Sequence, residues 1–149
     1  MKKEIKVTPI KNGTVIDHLP AGTALRVLRF LKLKNNPITI AMNVESKKQG
    51  KKDIIFIEDK FLGEKEFAKI ALIGKGATMN IIKNHEVKSK GKIEIRDFAE
   101  GIIKCINPNC ISNAESIKTK FVIKDKPLKA VCYYCQKTMD ELEIIESIK

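Results

Sequence analysis

The 149-residue sequence lacks tryptophan and any apolar run that approaches membrane-spanning length. Its longest apolar runs, such as Ile54–Ile57, are far shorter than the about 20 apolar residues that a helix needs to cross a bilayer. A membrane-spanning role is therefore excluded, and the cytoplasm is the expected compartment. The hydrophobic share of 43% and the charged share of 32% are ordinary for a soluble globular protein.

Arginine is scarce, since Arg26, Arg29 and Arg96 are the only ones and every other strongly basic side chain is lysine. Lysine is a point charge without the bidentate fork with which arginine reads guanine. Sequence-specific DNA recognition is therefore disfavoured.

Histidine is equally scarce, and His18 and His85 lie on separate predicted strands. No nucleophile, base and orienting group form a recognisable triad, and the chain has no P-loop or GxGxxG motif. An enzyme, such as a small nucleotide-using transferase, is therefore the least favoured hypothesis, and it would require turnover by the isolated chain.

The positive charge is unevenly distributed along the chain. Residues 1–96 carry 21 Lys or Arg against 10 Asp or Glu, whereas residues 97–149 carry 8 of each. The rival hypothesis of a nucleic-acid-binding zinc ribbon is disfavoured, because a neutral module binds a phosphate backbone poorly. The lysines of the first part are typical of a solvated surface, or part of them faces a small polyanion such as a nucleoside triphosphate.

The four cysteines form two close pairs, Cys105-x4-Cys110 and Cys132-x2-Cys135, separated by 21 residues. This spacing is typical of a closed structural site in which four thiolates bind one tetrahedral Zn²⁺. Two disulfides are the alternative. Because Met1–Glu4 leads directly into an alternating segment without a secretory signal, a reducing compartment and a metal are favoured.

Periodicity predicts an α+β N-terminal domain over residues 1–96. Residues 4–11 are predicted as an imperfect strand interrupted at Pro9, and Asn12-Gly13 as a turn. The next predicted elements are strand 14–19, a helix with apolar residues from Ala24 to Leu31, a hairpin of strands beginning at Ile38 and Lys51, helix 64–73 and strand 77–84. Their order is that of the ferredoxin-like βαββαβ fold, in which two helices cover one face of an antiparallel sheet.

Residues 97–149 are predicted as a small β-rich zinc-ribbon domain, reached through a linker within residues 91–101. A module of this size rarely folds on its apolar core alone, and a bound metal supplies on the order of 10 kcal/mol in comparable sites. Its predicted core is Phe121, Val122 and Val131, and its predicted terminal helix carries Leu142, Ile145 and Ile148.

An ordered set of motifs resembles the regulatory chain of aspartate carbamoyltransferase over essentially the whole length. The motifs are Gly13-Thr14-Val15-Ile16-Asp17-His18, Ile38-Thr39-Ile40, Lys52-Asp53, Ala77-Thr78-Met79-Asn80 with Asn84 and Glu86-Val87, and Cys105-Ile106-Asn107-Pro108-Asn109-Cys110-Ile111-Ser112. The resemblance implies a non-catalytic subunit in pyrimidine biosynthesis, with an allosteric domain that binds nucleotide effectors (CTP, ATP and, as a further candidate, UTP) and a zinc domain that docks on catalytic chains.

The resemblance also implies the residues of the nucleotide site. Asp17 would contact the ribose, and His18 and Lys90 the phosphates, which suits a carboxylate acceptor and two cationic donors. The remaining residues around the base and pocket would be Val7, Thr8, Ile10, Asn80, Ile82, His85 and Val87.

Two residues depart from the family pattern. Phe56 stands where a lysine touching ribose and base is expected, and His85 stands where tyrosine is usual. Lys51 or Lys52 would replace the missing lysine, and Lys52 is taken as the site residue. If neither does, the chain would be a structural linker that binds the catalytic chain without responding to nucleotides.

The resemblance assigns the contact with catalytic chains to Asn107, Asn109, Gln136 and Lys137, with Gln136 replacing a common glutamate. It implies a regulatory homodimer through the N-terminal domain and an assembly of six regulatory and six catalytic chains. Neither nucleic acid nor a membrane is an expected partner.

Overall fold

A computed structural model describes residues 9–149 and places them in two antiparallel sheets, each with its own apolar core. The predicted strand over 4–11 falls mostly outside the described residues. Its described end, Pro9 to Lys11, is not strand, and the first described strand begins at Gly13. No helix among residues 9–149 is long and apolar enough to span a membrane.

The N-terminal sheet has five strands in the order β2-β3-β1-β4-β5. The first four strands in sequence, with the two helices, confirm the predicted ferredoxin-like order, whereas the fifth was not predicted. The bounds are β1 Gly13–Pro20, α1 Ala24–Phe30, β2 Ile38–Ser46, β3 Gly50–Glu58, α2 Glu64–Ile73, β4 Thr78–Lys83 and β5 Glu86–Lys92.

One face of this sheet is covered by the helices and the other is open. Ile16 and Ile55, which are paired across β1 and β3, are both fully buried in the core with α1 and α2. Side chains alternate between the faces of a strand, so Asp17, Phe56 and Asn80 lie away from that core, on or next to the open face. Val15, paired with both Phe56 and Asn80, belongs to the same face.

The buried carboxylate of Asp53 on β3 joins three elements. It accepts hydrogen bonds from the backbone N–H of Ala24 at 3.0 Å and from that of Asn43 at 2.9 Å. Thr23 precedes α1 but makes no side-chain cap bond, so Asp53 caps the helix from the neighbouring strand. Asn43 has a φ of 58° where the β2–β3 register shifts, so the same carboxylate fixes an irregularity of β2.

The C-terminal sheet has the order β6-β7-β8-β9, with β6 Phe98–Glu100, β7 Lys120–Lys124, β8 Lys129–Cys132 and β9 Thr138–Met139. Two short helices, α3 Ile111–Ala114 and α4 Glu141–Glu146, complete this part. Phe121 is fully buried as predicted, but the prediction of Val122 and Val131 as core was wrong. Both are half-buried on the opposite face, because neighbouring strand residues point to opposite sides.

The predicted terminal helix is present as α4 and begins with a reciprocal cap between Asp140 and Glu143. Its fully buried residue is Ile144, whereas Leu142 is 57% exposed. Of the other two residues that predicted this helix, Ile145 lies within α4 and Ile148 follows it, and both pack against the apolar cores.

The two parts are in direct contact. Leu72 and Ala68 of α2 pack in the C-terminal core, while Ile145 and Ile148 pack against the N-terminal core. Lys75 Nζ lies 2.8 Å from Asp125 Oδ1 across the junction. Within the predicted linker, residues 91–101, the end of β5 and all of β6 flank residues 93–97, which connect the two strands.

We predict that Asp53→Ala lowers the free energy of unfolding by about 2 to 4 kcal/mol, because two backbone N–H groups lose a charged acceptor. Urea denaturation of the metal-loaded chain measures this. Glu45→Ala, which removes an exposed carboxylate from β2, is the control and should stay within about 0.5 kcal/mol of the wild type. Equal stability of the two variants would contradict the role of Asp53.

Candidate functional site

The four cysteines converge on one point although they come from four different segments. Cys105 follows the Ile103–Ile148 bridge, Cys110 precedes α3, Cys132 ends β8, and Cys135 lies in the turn before β9. Their Sγ atoms all lie within 4.8 Å of one another. The sequence prediction that these residues form one cluster is confirmed.

The spacing of the sulfur atoms fits a tetrahedral metal. Two Sγ pairs, Cys105–Cys135 and Cys110–Cys132, are each 3.7 Å apart. Metal–sulfur bonds of about 2.3 Å arranged tetrahedrally give sulfur–sulfur edges of about 3.8 Å. All four thiols are free, so the disulfide alternative is not the arrangement of this structure.

Hydrogen bonds hold the loop between Cys105 and Cys110 in shape. The Asn113 side-chain amide donates to the carbonyl oxygens of Cys105 at 2.9 Å and Asn107 at 2.7 Å. Ser112 Oγ lies 3.1 Å from Cys110 Sγ, where its hydroxyl can donate to a thiolate. Ser112 and Asn113 were not predicted as supporting residues, although both lie within three residues of Cys110.

The thiols differ in acidity because their surroundings differ. Burial raises the pKa of Cys105 to about 12, and burial also raises the pKa of Cys132. For Cys135, burial acts in the same direction, but hydrogen bonds from the Asn107 side chain, the Lys137 backbone and neighbouring thiols outweigh it and lower the pKa to about 7. A metal must displace the protons of the buried thiols, so its binding is coupled to pH.

The residues predicted to contact catalytic chains lie on the two loops that carry the cysteines. Asn107 and Asn109 share the first loop, where Asn107 Oδ1 accepts from the Asn109 N–H at 3.0 Å. Gln136 and Lys137 follow Cys135, and the Lys137 carbonyl accepts from the Cys132 N–H at 2.9 Å. The structure therefore brings the two loops together at the cluster.

The residues predicted for the nucleotide site lie along the open face of the N-terminal sheet, in a line rather than at one point. At one end Asp17 pairs with Lys52 of β3, with Oδ1 and Nζ 2.9 Å apart. Lys51, in contrast, is exposed and pairs in register with Glu45 of β2. That Lys52 replaces the lysine expected at Phe56 stays a prediction.

His18 occupies an irregular position in β1. Its φ is 58°, and the register with β3 shifts between Ile16 and Leu19. The His18 N–H donates to Asp17 Oδ1 at 2.6 Å, and Nδ1 lies 2.9 Å from Thr78 Oγ1. This bulge leaves the Asp17 and His18 side chains about one fifth exposed while Leu19 returns to the core. Thr78 was not among the predicted residues, although it precedes Asn80 by one strand period.

The middle of the line is formed by Asn80 of β4 and Lys90 of β5, which are register partners. Ile82 pairs with Val87 further along, and Val87 is 57% exposed. The face thus changes from polar and basic at Lys52, His18 and Lys90 to apolar at Ile82 and Val87.

Ile10 and His85 are placed at the far end. Ile10 is buried, and His85 stands exposed in the turn between β4 and β5 with a φ of 65°. Thr78 and the Asn84-His85 turn are separated by about 20 Å of strand, at ~3.3 Å per residue. His85 is therefore distant from Asp17, and Val7 and Thr8 lie outside the described residues.

Comparison with known proteins identifies both parts of the chain. Residues 5–94 match the family model of the aspartate carbamoyltransferase regulatory chain, allosteric domain. Residues 97–145 match the model of the regulatory chain, metal binding domain.

Curated relatives align over nearly the full length. The chain is 53% identical to the aspartate carbamoyltransferase regulatory chain of Pyrococcus horikoshii, with 97% of this chain and 99% of that protein covered. It is 52% identical to that of Pyrococcus furiosus, with the same coverage, and 50% identical to that of Methanococcus aeolicus, with 97% and 94% covered. These relatives are regulatory and not catalytic chains, which confirms the resemblance. The chain therefore belongs to the aspartate carbamoyltransferase regulatory chain family.

Proposed function

We propose that this chain binds nucleoside triphosphates on the open face of its N-terminal sheet and transmits their binding to catalytic chains through a zinc-held C-terminal domain. The domains are residues 1–96 and 97–149. The observation that carries the proposal is the line of polar and cationic side chains on the open face, within the part matched by the allosteric-domain model.

The chemistry of the open face suits a nucleotide. Asp17 is an acceptor for ribose hydroxyls, while His18 and Lys90 supply cationic or hydrogen-bonding donors for phosphates. Ile82 and Val87 offer an apolar surface beside which a base can pack. CTP, ATP and UTP share these chemical groups and are the proposed effectors.

The metal is proposed to be a single structural Zn²⁺. Four thiolates are a soft donor set with tetrahedral spacing, and they leave no coordination position for water. The ion would hold the loops of Asn107, Asn109, Gln136 and Lys137 for docking. Loss of the ion should therefore abolish assembly even though none of these four residues is a ligand.

The proposed assembly follows the family. Regulatory chains pair through the N-terminal domain, and their zinc domains link catalytic chains into a complex of six regulatory and six catalytic chains. Allosteric coupling of this kind is typically about 1 to 3 kcal/mol, and only a ligand with unequal affinity for two quaternary states produces it.

We predict that Asp17→Ala and Lys90→Ala each weaken binding of CTP and ATP by about 10- to 100-fold, the loss of one charge-assisted contact. Calorimetric titration of the zinc-loaded chain measures it. Lys65→Ala on α2 is the control for Lys90→Ala. It also removes one lysine charge, but from an exposed position on the helix side of the sheet. Unchanged affinity in Lys90→Ala would contradict the site.

If the wild-type chain binds neither nucleotide but assembles with catalytic chains, it acts as a structural linker. The half-buried ring of Phe56, beside Val15 on the open face, is then the first residue to change. Phe56→Lys would restore the cation that the family pattern places there, and recovered binding would identify the cause.

We further predict that each chain binds one metal ion and that this ion is zinc. Mass-spectrometric metal analysis measures both. Removing it with a chelator, or replacing Cys110 with Ser, should abolish assembly with catalytic trimers, and restored Zn²⁺ should rescue only the wild type. Because protons compete for the buried thiols, affinity should fall as the pH is lowered from about 8 to 6. Assembly by the metal-free chain would contradict the role of the ion.

A further inference from the structure

The C-terminal sheet has a second exposed surface, which we call the outer face and define by Phe98, Lys120, Val122, Val131 and Tyr133. Phe98 pairs in register with Val122, and Val122 with Val131, so these side chains share one side of the sheet. The intervening residues Ala99, Phe121, Ile123, Ala130 and Cys132 are all at most 6% exposed and form the core.

The outer face presents large aromatic groups to solvent. Phe98 and Tyr133 are each 55% exposed, and neither is needed to fill the core beneath the sheet. Exposed aromatic side chains around a half-buried apolar centre are typical of protein–protein interfaces, where they supply much of the binding energy.

Lys120 lies between these two rings. Its Nζ is 5.4 Å from the centroid of Phe98 and 4.8 Å from that of Tyr133. Its register neighbour Glu100 is paired with Lys118 instead, at 3.7 Å. Among residues 9–149, no carboxylate lies within ion-pair distance of Lys120, so a positioned cation faces outward between two apolar surfaces.

The outer face is continuous with the proposed docking loops. Tyr133 belongs to the Cys-x2-Cys turn, and its carbonyl oxygen accepts from the Gln136 side chain at 3.0 Å. Tyr134 packs edge to face on Tyr133, with centroids 5.5 Å apart, and donates its hydroxyl to the Lys118 carbonyl at 3.2 Å. A partner seated on Gln136 and Lys137 would therefore meet Tyr133 next.

We propose that the outer face is part of the docking surface for the catalytic chain and receives a carboxylate flanked by apolar side chains. This inference rests on the proposed docking through the zinc domain. Continuity favours this occupant over a second copy of the chain, because the Tyr133 carbonyl is hydrogen-bonded to the side chain of Gln136, a residue of the proposed docking loops. The catalytic chain, which the family association requires as partner, is the occupant that the face fits.

The test uses the zinc-loaded full chain and the catalytic trimer of the same organism. Phe98→Ser combined with Tyr133→Ser should raise the dissociation constant at least tenfold, and Lys120→Glu should do the same through repulsion of the carboxylate. Phe61→Ser is the matched control, because Phe61 is 47% exposed and has Lys83 Nζ 5.2 Å from its ring, but lies in the N-terminal part. It should leave affinity within about twofold, the variation expected of a surface substitution.

Zinc content and thermal unfolding of each variant establish that the fold is retained, and sedimentation gives the oligomeric state. Wild-type chain that fails to bind the catalytic trimer would overturn the proposed function itself. Wild-type binding matched by the double variant and by Lys120→Glu would overturn only the present inference. Reduced self-association with unchanged trimer binding would assign the face to a second copy and overturn it as well.

Discussion

The convergence of four thiols is the constraint on which the C-terminal part depends. Its strands contain only three, five, four and two residues, too few for strand pairing alone to fix their arrangement. The cysteines lie on two loops far apart in sequence, so the proposed ion would cross-link these loops and its binding energy would become folding energy. Everything proposed for this part, from the docking loops to the outer face, depends on that cross-link.

Helix α2 connects the C-terminal part to the rest of the chain. Ile70 and Ala71 lie in the N-terminal core, while Leu72, the next residue, lies in the C-terminal core. The helix therefore cannot move relative to one core without disturbing the other. In β4, Met79 packs against the N-terminal core, while its neighbour Asn80 lies on the open face. Only the backbone of the sheet therefore separates the proposed effector face from the core that contains α2.

The sequence was sufficient to predict elements with strong periodicity or fixed ligand spacing. The cysteine cluster, the β2–β3 hairpin and α2 are examples, because spacing and alternation there reflect local geometry. Strand β5 was missed since its residues, such as Lys88, Ser89 and Lys90, are exposed and carry no apolar alternation. Pairing with β4 forms this strand, and such a tertiary contact leaves no local signal.

The core of the C-terminal part shows a second limit of prediction from sequence, which concerns the direction in which a strand residue points. Phe121 and Val122 are equally apolar, but only one can face inward, and composition does not say which. The contact of Lys120 with rings from Phe98 and Tyr133 joins residues far apart in sequence, so it follows only from the strand register. The sequence likewise does not show which of the adjacent Lys51 and Lys52 lies near Asp17, because this depends on the pairing of β1 with β3; in the structure it is Lys52.

The ion pair and hydrogen bonds on the open face offer a route by which the proposed binding of a nucleotide would act on the proposed assembly. Without any nucleotide, Asp17 is already paired with Lys52, and His18 with Thr78, so β1 is tied to both β3 and β4. A nucleotide that uses Asp17 and His18 must share or replace these contacts, and thereby changes how three strands are held. One charge-assisted hydrogen bond is worth about 1.5 to 3 kcal/mol, which matches the usual range of allosteric coupling. A single contact made in one quaternary state and absent from the other is therefore enough to account for regulation by this chain.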